Sequence, residues 1–193
     1  MLELKKLSFA YNETDIIFKN LTKKIPYKRI GIIGSNGIGK TTLLNLIDGR
    51  DKYTGTINCS KSTFLVDFDL EKYGAFTVAE FFEMISSLKS FNSDLLYELC
   101  EKVNVNQLLD KKIKNLSKGS NKKIALLVAF ASHRELLLLD EPFEAIDAAS
   151  NQALMEILPR LEKELIIVSH DLGYLKCSVD KVYVMEGGKL DEL

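Results

Sequence analysis

Three glycines and a lysine mark the segment of the chain with the most specific chemistry. Gly34, Gly37 and Gly39 precede Lys40 and Thr41 in a stretch that fits GxxxxGK[ST]. Glycine lets the backbone adopt positive φ and wrap closely around an anion, so that main-chain N–H groups point at phosphate oxygens. The predicted phosphate-binding residues are Gly34, Ser35, Asn36, Gly37, Ile38, Gly39, Lys40, Thr41 and Thr42.

The position of this loop between predicted elements supports the same interpretation. The apolar run Arg29–Ile33 reads as a strand buried on both faces, and Thr41–Ile47 has helical spacing. An ordinary glycine-containing turn is the alternative, but it does not require a strand before it and a helix after it. We expect Lys40 to contact the β- and γ-phosphates of a nucleotide and the Thr41 hydroxyl to bind Mg²⁺.

Two carboxylates follow another predicted buried strand. Four leucines, Leu136–Leu139, lead directly into Asp140 and Glu141. In phosphate-loop proteins, a parallel strand beside the first delivers such an aspartate to Mg²⁺, which fits Asp140. Glu141 lies one residue further and could polarise a water molecule as general base. A merely solvated strand end is the alternative.

The remaining patterns supply the elements that position these groups. Strands are predicted at Leu2–Leu7, 15–18, 21–25, 53–58, 63–66, 165–168 and 181–185, with a turn at 186–189. Helices are predicted over most of 77–109, where Val78, Phe81, Phe82, Ile85 and Leu88 form an apolar stripe, and over 120–132 and 148–161. Buried strands that alternate with helices predict an α/β fold with a mostly parallel sheet.

Composition excludes several classes of protein. The 193 residues carry 26 Lys and Arg against 27 Asp and Glu, a net charge of -1 that argues against nucleic-acid binding. The three cysteines are far apart and form no CxxC pair, so neither a disulfide framework nor a zinc site is expected. The longest apolar run, Ile124–Ala131, is too short to span a bilayer.

Taken in order, these motifs resemble the nucleotide-binding subunits of ATP-binding-cassette (ABC) transporters over essentially the whole chain. The segment at Leu116, Ser117, Lys118, Gly119 and Ser120 stands where that family has its LSGGQ signature. The segment from Asp140 to Asp147 resembles the family's DEPTSGLD, and Val168–Asp171 resembles its switch segment with a histidine. The chain differs at the family's Q-loop glutamine, for which Asp67 is the closest positional match.

The resemblance implies roles for particular residues. Glu141 and His170 would be catalytic, Tyr11 would stack on adenine, and Asp147 would be the aspartate of the D-loop. Asp67 is a further candidate metal ligand beside Thr41 and Asp140. The signature segment 116–120 would close on the γ-phosphate of an ATP held by a second cassette, so the implied cofactors are ATP and Mg²⁺.

The resemblance also implies a fold and a function. The expected fold is a single ABC ATPase domain over 1–193. Its P-loop NTPase core, with a mostly parallel sheet, and its N-terminal antiparallel β subdomain together occupy 1–68 and 119–193, and a small helical subdomain lies at about 69–118. The expected function is to power a separate transmembrane permease, and export is favoured over import. The chain is expected to act as an ATP-dependent homodimer or heterodimer. That function implies a cytoplasmic protein held at the inner face of the membrane by its permease. A soluble ABC ATPase outside transport and a non-hydrolysing regulatory subunit are the alternatives.

Overall fold

The computed structural model describes residues 2–193, and its contacts divide them into two units. The first comprises 2–65, 135–141 and 163–193, and the second comprises 66–134 and 142–162. Helices that follow the signature segment and Asp147 therefore group with the helical residues, outside the sequence-based range of 69–118. The single domain expected over 1–193 remains a prediction, and Met1 lies outside the described residues.

The first unit contains both sheets. An antiparallel sheet has the order β2-β1-β4, formed by Leu2–Ala10 (β1), Ile16–Ile25 (β2) and Thr54–Cys59 (β4). A six-stranded sheet has the order β5-β6-β7-β3-β8-β9, and its strands are Arg29–Ile33 (β3), Thr63–Leu65 (β5), Leu136–Asp140 (β6), Glu164–Val168 (β7), Lys181–Glu186 (β8) and Lys189–Glu192 (β9). All its pairings are parallel except β8 with β9. The predicted α/β class is confirmed.

Helices α1 (Lys40–Ile47) and α6 (Leu172–Ser178) belong to the same unit. Leu43, Leu44 and Leu46 of α1 are buried in one hydrophobic cluster with residues of both sheets. Gly31 on β3 allows α6 to pack closely, because a methyl group there would lie 2.9 Å from a Leu175 methyl carbon. The core therefore fixes the helix that starts at the predicted phosphate loop.

The second unit is helical. It contains α2 (Val78–Ser86), α3 (Ser93–Lys102), α4 (Lys118–Ala131) and α5 (Ala148–Ile157), with short 3₁₀ turns before α2, between α3 and α4, and after α5. Val78, Phe81, Phe82 and Ile85 are buried along α2, as the predicted stripe requires.

Several predicted boundaries were wrong. The helical stretch 77–109 breaks after α2, because the Asn92 side chain accepts from the Leu95 N–H at 3.0 Å and starts a new helix. Leu88 consequently lies outside the stripe and is 47% exposed. The two strands predicted at 15–18 and 21–25 form the single strand β2, which Asn20 at φ 56 bends with an irregularity in its pairing.

The ends of other elements also differ from the sequence predictions. Helix α4 begins at Lys118 rather than Ser120, because Ser117 caps it. Helix α5 gives way at Leu158 to a 3₁₀ turn that contains Pro159. Strand β9 was not predicted, although the Gly187-Gly188 turn before it was.

Candidate functional site

The predicted phosphate loop follows β3 and runs into α1, as expected. Gly37 has φ 78 and Gly39 has φ 107, conformations that favour glycine. Gly34 does not have positive φ, so that part of its predicted role was wrong. Its glycine is needed for another reason, since a Cβ there would lie 2.6 Å from the carbonyl oxygen of Met185.

Lys40 is held back against the loop. Its Nζ donates to the carbonyl oxygens of Gly34 at 2.8 Å and Ser35 at 3.0 Å, and the residue is buried. An ammonium group held at a loop that leads into a helix N-terminus is chemically suited to bind a phosphate group.

Thr41 and Asp140 meet at the carboxyl end of the parallel sheet. The Thr41 hydroxyl Oγ1 donates to Asp140 Oδ2, which joins the first turn of α1 to the last residue of β6. A hydroxyl and a carboxylate are the hard oxygen ligands that Mg²⁺ takes together with nucleotide phosphates. Among the described residues, no three His, Cys, Asp or Glu side chains form a metal site by themselves.

Glu141 and His170 lie together in the same unit. His170 Nδ1 is 3.0 Å from Glu141 Oε2. Glu141 adopts φ 48, and its N–H donates to the Val168 carbonyl at 2.9 Å, so the chain turns sharply where β6 ends. A non-glycine residue at positive φ stores strain, which is typical of functional positions. This turn directs the carboxylate to the histidine that follows β7.

A capped turn supports His170. The Ser169 N–H donates to the Ile32 carbonyl at 3.1 Å, and Asp171 caps α6 by accepting from the N–H groups of Gly173 and Tyr174. The backbone at His170 is thus held between the end of β7 and the start of α6, while its side chain is 62% exposed. Helix α6 and its cap were not predicted, although Asp171 before a short amphipathic run was an available signal.

Tyr11, the predicted adenine-stacking residue, lies near the end of the phosphate loop. Its hydroxyl is 2.9 Å from Thr42 Oγ1, the residue is 58% exposed, and Phe9 packs edge-on against its ring at 4.9 Å between centroids. An anchored but exposed ring can offer a face to a base. Its role in binding adenine stays a prediction.

The signature segment forms the start of α4 in the second unit. Ser117 is the N-cap, and its Oγ accepts from the Ser120 N–H at 3.1 Å and lies 3.0 Å from Ser120 Oγ. Lys118 is exposed, whereas Gly119 is buried beneath the Ala145 carbonyl. The helix N-terminus carries no acidic residue, so its dipole is available to an anion.

Asp147 and Asp67 both have partners within the second unit. Asp147 caps α5, and its pKa is lowered to about 2, mainly by hydrogen bonds from the backbone and hydroxyl of Ser150 and less by Lys123. Asp67 accepts from the Asp69 N–H at 3.0 Å and pairs with Lys72 at 3.1 Å, which raises the pKa of Lys72. Asp67 thus stabilises its own turn, and metal binding by it stays a prediction.

Comparison with known proteins identifies the family. The sequence profile of the ABC transporter family matches residues 18–144, more than half of the chain. A Thermotoga maritima protein named "Probable metal transport system ATP-binding protein" is 32% identical over 92% of this chain and 79% of its own length. The chain belongs to the ABC transporter family. The recognition made from its motifs is confirmed, and its enzyme class is that of the family's ATPases.

Other relatives differ in length. The manganese transport system ATP-binding protein MntB of Halalkalibacterium halodurans is 27% identical over 96% of this chain and 82% of its own length. In a 27% identical relative from Clostridium tetani, however, the chain spans only 48% of the length. A solved dimeric ATP-binding cassette, in a post-hydrolysis state with ADP and Pi, has the same ABC ATPase fold as this chain. The two superimpose with a TM-score of 0.85 over 100% of this chain and 98% of the other, at 21% identity.

None of the described helices is both long enough and apolar enough to cross a membrane.

The relatives give no support to the expected export. A 29% identical relative from Acetivibrio thermocellus is named a spermidine/putrescine import ATP-binding protein, and the chain spans 60% of its length.

Proposed function

We propose that this chain is the ATP-hydrolysing subunit that powers a separate membrane permease. The observation that carries the proposal is the paired arrangement in the first unit, where Thr41 bonds Asp140 and Glu141 lies 3.0 Å from His170. All four stand at the carboxyl ends of strands or the start of α1, next to a phosphate loop with its lysine in place. Transport system subunits among the relatives support the coupling to a permease.

The residues have distinct tasks in this reaction. Lys40 and the loop N–H groups hold the β- and γ-phosphates, and Tyr11 offers its exposed ring to adenine. Thr41 and Asp140 would hold Mg²⁺, which when bound neutralises charge on the phosphate oxygens. Glu141 accepts the proton of the attacking water, and His170 keeps the Glu141 carboxylate and the γ-phosphate in register.

The second half of the site would come from another cassette. Ser117 and Gly119 at the start of α4 offer a hydroxyl and an N–H group to the γ-phosphate held by that copy. ATP would then hold two cassettes together, and its hydrolysis would release them, so binding energy is converted into a change of permease conformation. In this scheme the protein would be cytoplasmic and would be held at the inner face of the membrane by its permease.

The Glu141→Gln variant tests the proposal. Removing the general base should slow hydrolysis by about 10²-fold or more while ATP binding survives. Size-exclusion chromatography with ATP and Mg²⁺ should show the variant as a dimer, because closure precedes the chemistry. A monomer with wild-type turnover would contradict both roles.

A cell-fractionation experiment tests the coupling to transport. The wild-type chain is expressed with its neighbouring genes, and membranes are separated from soluble protein. Recovery with the membranes supports a permease partner. Recovery only in the soluble fraction, with full ATPase activity, would favour an ABC ATPase outside transport.

A further inference from the structure

The loop 142–147, which follows Glu141 directly in the chain, is tied to α4 and α5 by a dense set of contacts. Three of them involve side chains: Lys123 from α4, Asn151 from α5, and Asp147 at the end of the loop. A fourth is the close approach of Gly119 to the Ala145 carbonyl. All lie within the second unit, and none follows from the roles assigned above.

Lys123 is the central contact. Its Nζ lies 3.1 Å from Asp147 Oδ2 and 3.1 Å from Ser150 Oγ, and the residue is only 8% exposed. The Ser150 N–H and hydroxyl also donate to the Asp147 carboxylate, at 2.9 and 2.8 Å. The carboxylate is therefore oriented from two sides, by its own helix and by the neighbouring one.

Asn151 fixes the backbone of the same loop. Its buried Nδ2 donates to the Phe143 carbonyl at 3.1 Å and to the Ile146 carbonyl at 3.3 Å. Between those residues, Ala145 has φ 63 and presents its carbonyl to Gly119. The loop thus has a single defined shape that matches the start of α4.

We propose that Lys123 is a positioning residue for ATP hydrolysis, which fastens the loop after Glu141 to the signature end of α4 so that the two move as one element. The inference rests on the proposed function, because only there do Glu141 and the signature act on ATP. An anion that engages the start of α4 would then act, through this link, on the segment covalently attached to the general base.

The chemistry of Lys123 indicates that it orients the groups around it rather than merely filling space. Burying an ammonium group costs desolvation energy, and a methionine of similar length would fill the same space without that cost. The ion pair is worth keeping when it sets geometry. Its two acceptors, Asp147 and Ser150, both belong to the first turn of α5, so the contact fixes how that turn lies against α4.

The experiment compares Lys123→Met, Lys123→Arg and the control Lys102→Met. Lys102 also forms an ion pair, with Glu98 at 2.6 Å, but on the exposed face of α3. Steady-state hydrolysis is measured over a range of ATP concentrations, and thermal unfolding confirms that each variant folds. For Lys123→Met we expect kcat to fall about 10- to 100-fold with KM for ATP within about twofold, since a small misplacement affects the chemical step.

The conservative and control variants give the proposal its specificity. Lys123→Arg should restore most of kcat, because a guanidinium can reach both Asp147 and Ser150. Lys102→Met should match the wild type in kcat and KM. If Lys123→Met fails to fold, Asp147→Asn, which keeps an oxygen for the Ser150 N–H but removes the charge, should show the same selective loss of kcat.

Two results would overturn the inference. One is a folded Lys123→Met protein with wild-type kcat and KM, and the other is a folded protein in which only KM rises. Both leave the proposed function standing, because the wild type still hydrolyses ATP. A wild type without ATPase activity would instead remove the proposed function itself.

Discussion

Replacing Gly119 by alanine should disable hydrolysis through a single steric contact. A methyl group at this position would lie 2.2 Å from the carbonyl oxygen of Ala145 and 3.2 Å from its carbonyl carbon. Real Cβ atoms essentially never approach another atom closer than 3.0 Å, so one of the two segments must move. The obstacle is backbone, which cannot rotate away as a flexible side chain could.

The size of the effect follows from this distance. The Ala145 peptide must shift by about 1 Å, and overpacking of this kind costs about 1–3 kcal/mol of folding stability. A 1 Å misplacement near a reacting group can cost about 10²-fold in rate. We therefore expect Gly119→Ala to lower kcat by about 10²-fold, which corresponds to roughly 2.7 kcal/mol of activation free energy.

The assay separates chemistry from nucleotide binding. Urea unfolding gives the stability of the variant, titration with a fluorescent ATP analogue gives its affinity, and steady-state kinetics give kcat. The affinity for the ATP analogue should stay within about twofold of wild type, because the substitution should affect the transition state rather than the binding of nucleotide in the ground state. Wild-type hydrolysis and stability in Gly119→Ala would refute the reasoning.

A compensating change serves as both control and rescue. Ala145 has φ 63, a conformation that glycine adopts without strain. Ala145→Gly alone should hydrolyse ATP at about the wild-type rate. Combined with Gly119→Ala, it lets the loop backbone yield, so part of the lost kcat should return.

Three further outcomes are expected. Lys40→Ala should abolish ATP binding or hydrolysis, because it removes the cation that the loop carbonyls hold in place; unchanged turnover would contradict this. Phe76→Asp should release the protein from membranes in co-fractionation while ATP binding survives, since Phe76 is 40% exposed; loss of ATP binding would show that its ring stabilises the fold instead. Asp147→Ala should lower the free energy of unfolding by about 1 kcal/mol at neutral pH. Because the folded-state pKa of Asp147 is lowered to about 2, this difference should fade as pH falls from about 4 towards 2 in urea unfolding series, and a constant difference would contradict it.

Local patterns in the sequence predicted the parts of the site that depend on neighbours in the chain. Strand β3, the loop at 34–41 and the strand before Asp140 follow from apolar runs bounded by glycine or charge, and the structure has each of them. Two capping residues were missed. Asn92 lies within the long predicted helical stretch, and Asp171 follows His170, which was interpreted as part of the switch segment. Those errors concern turns, where one hydrogen bond decides between continuing and starting a helix.

The contacts that fix the loop after Glu141 could not be predicted in the same way, because they join residues far apart in the chain. Lys123 follows Lys122 on a helix whose first turns contain three lysines, and charge patterning alone favours solvent exposure for all three. The structure separates them: Lys118 is exposed, Lys122 has its ammonium 3.9 Å from Glu144, and Lys123 is buried against Asp147. That difference arises from how α4 packs beside α5, so the residue with the sharpest test of the mechanism is one that no local motif distinguishes from its neighbours.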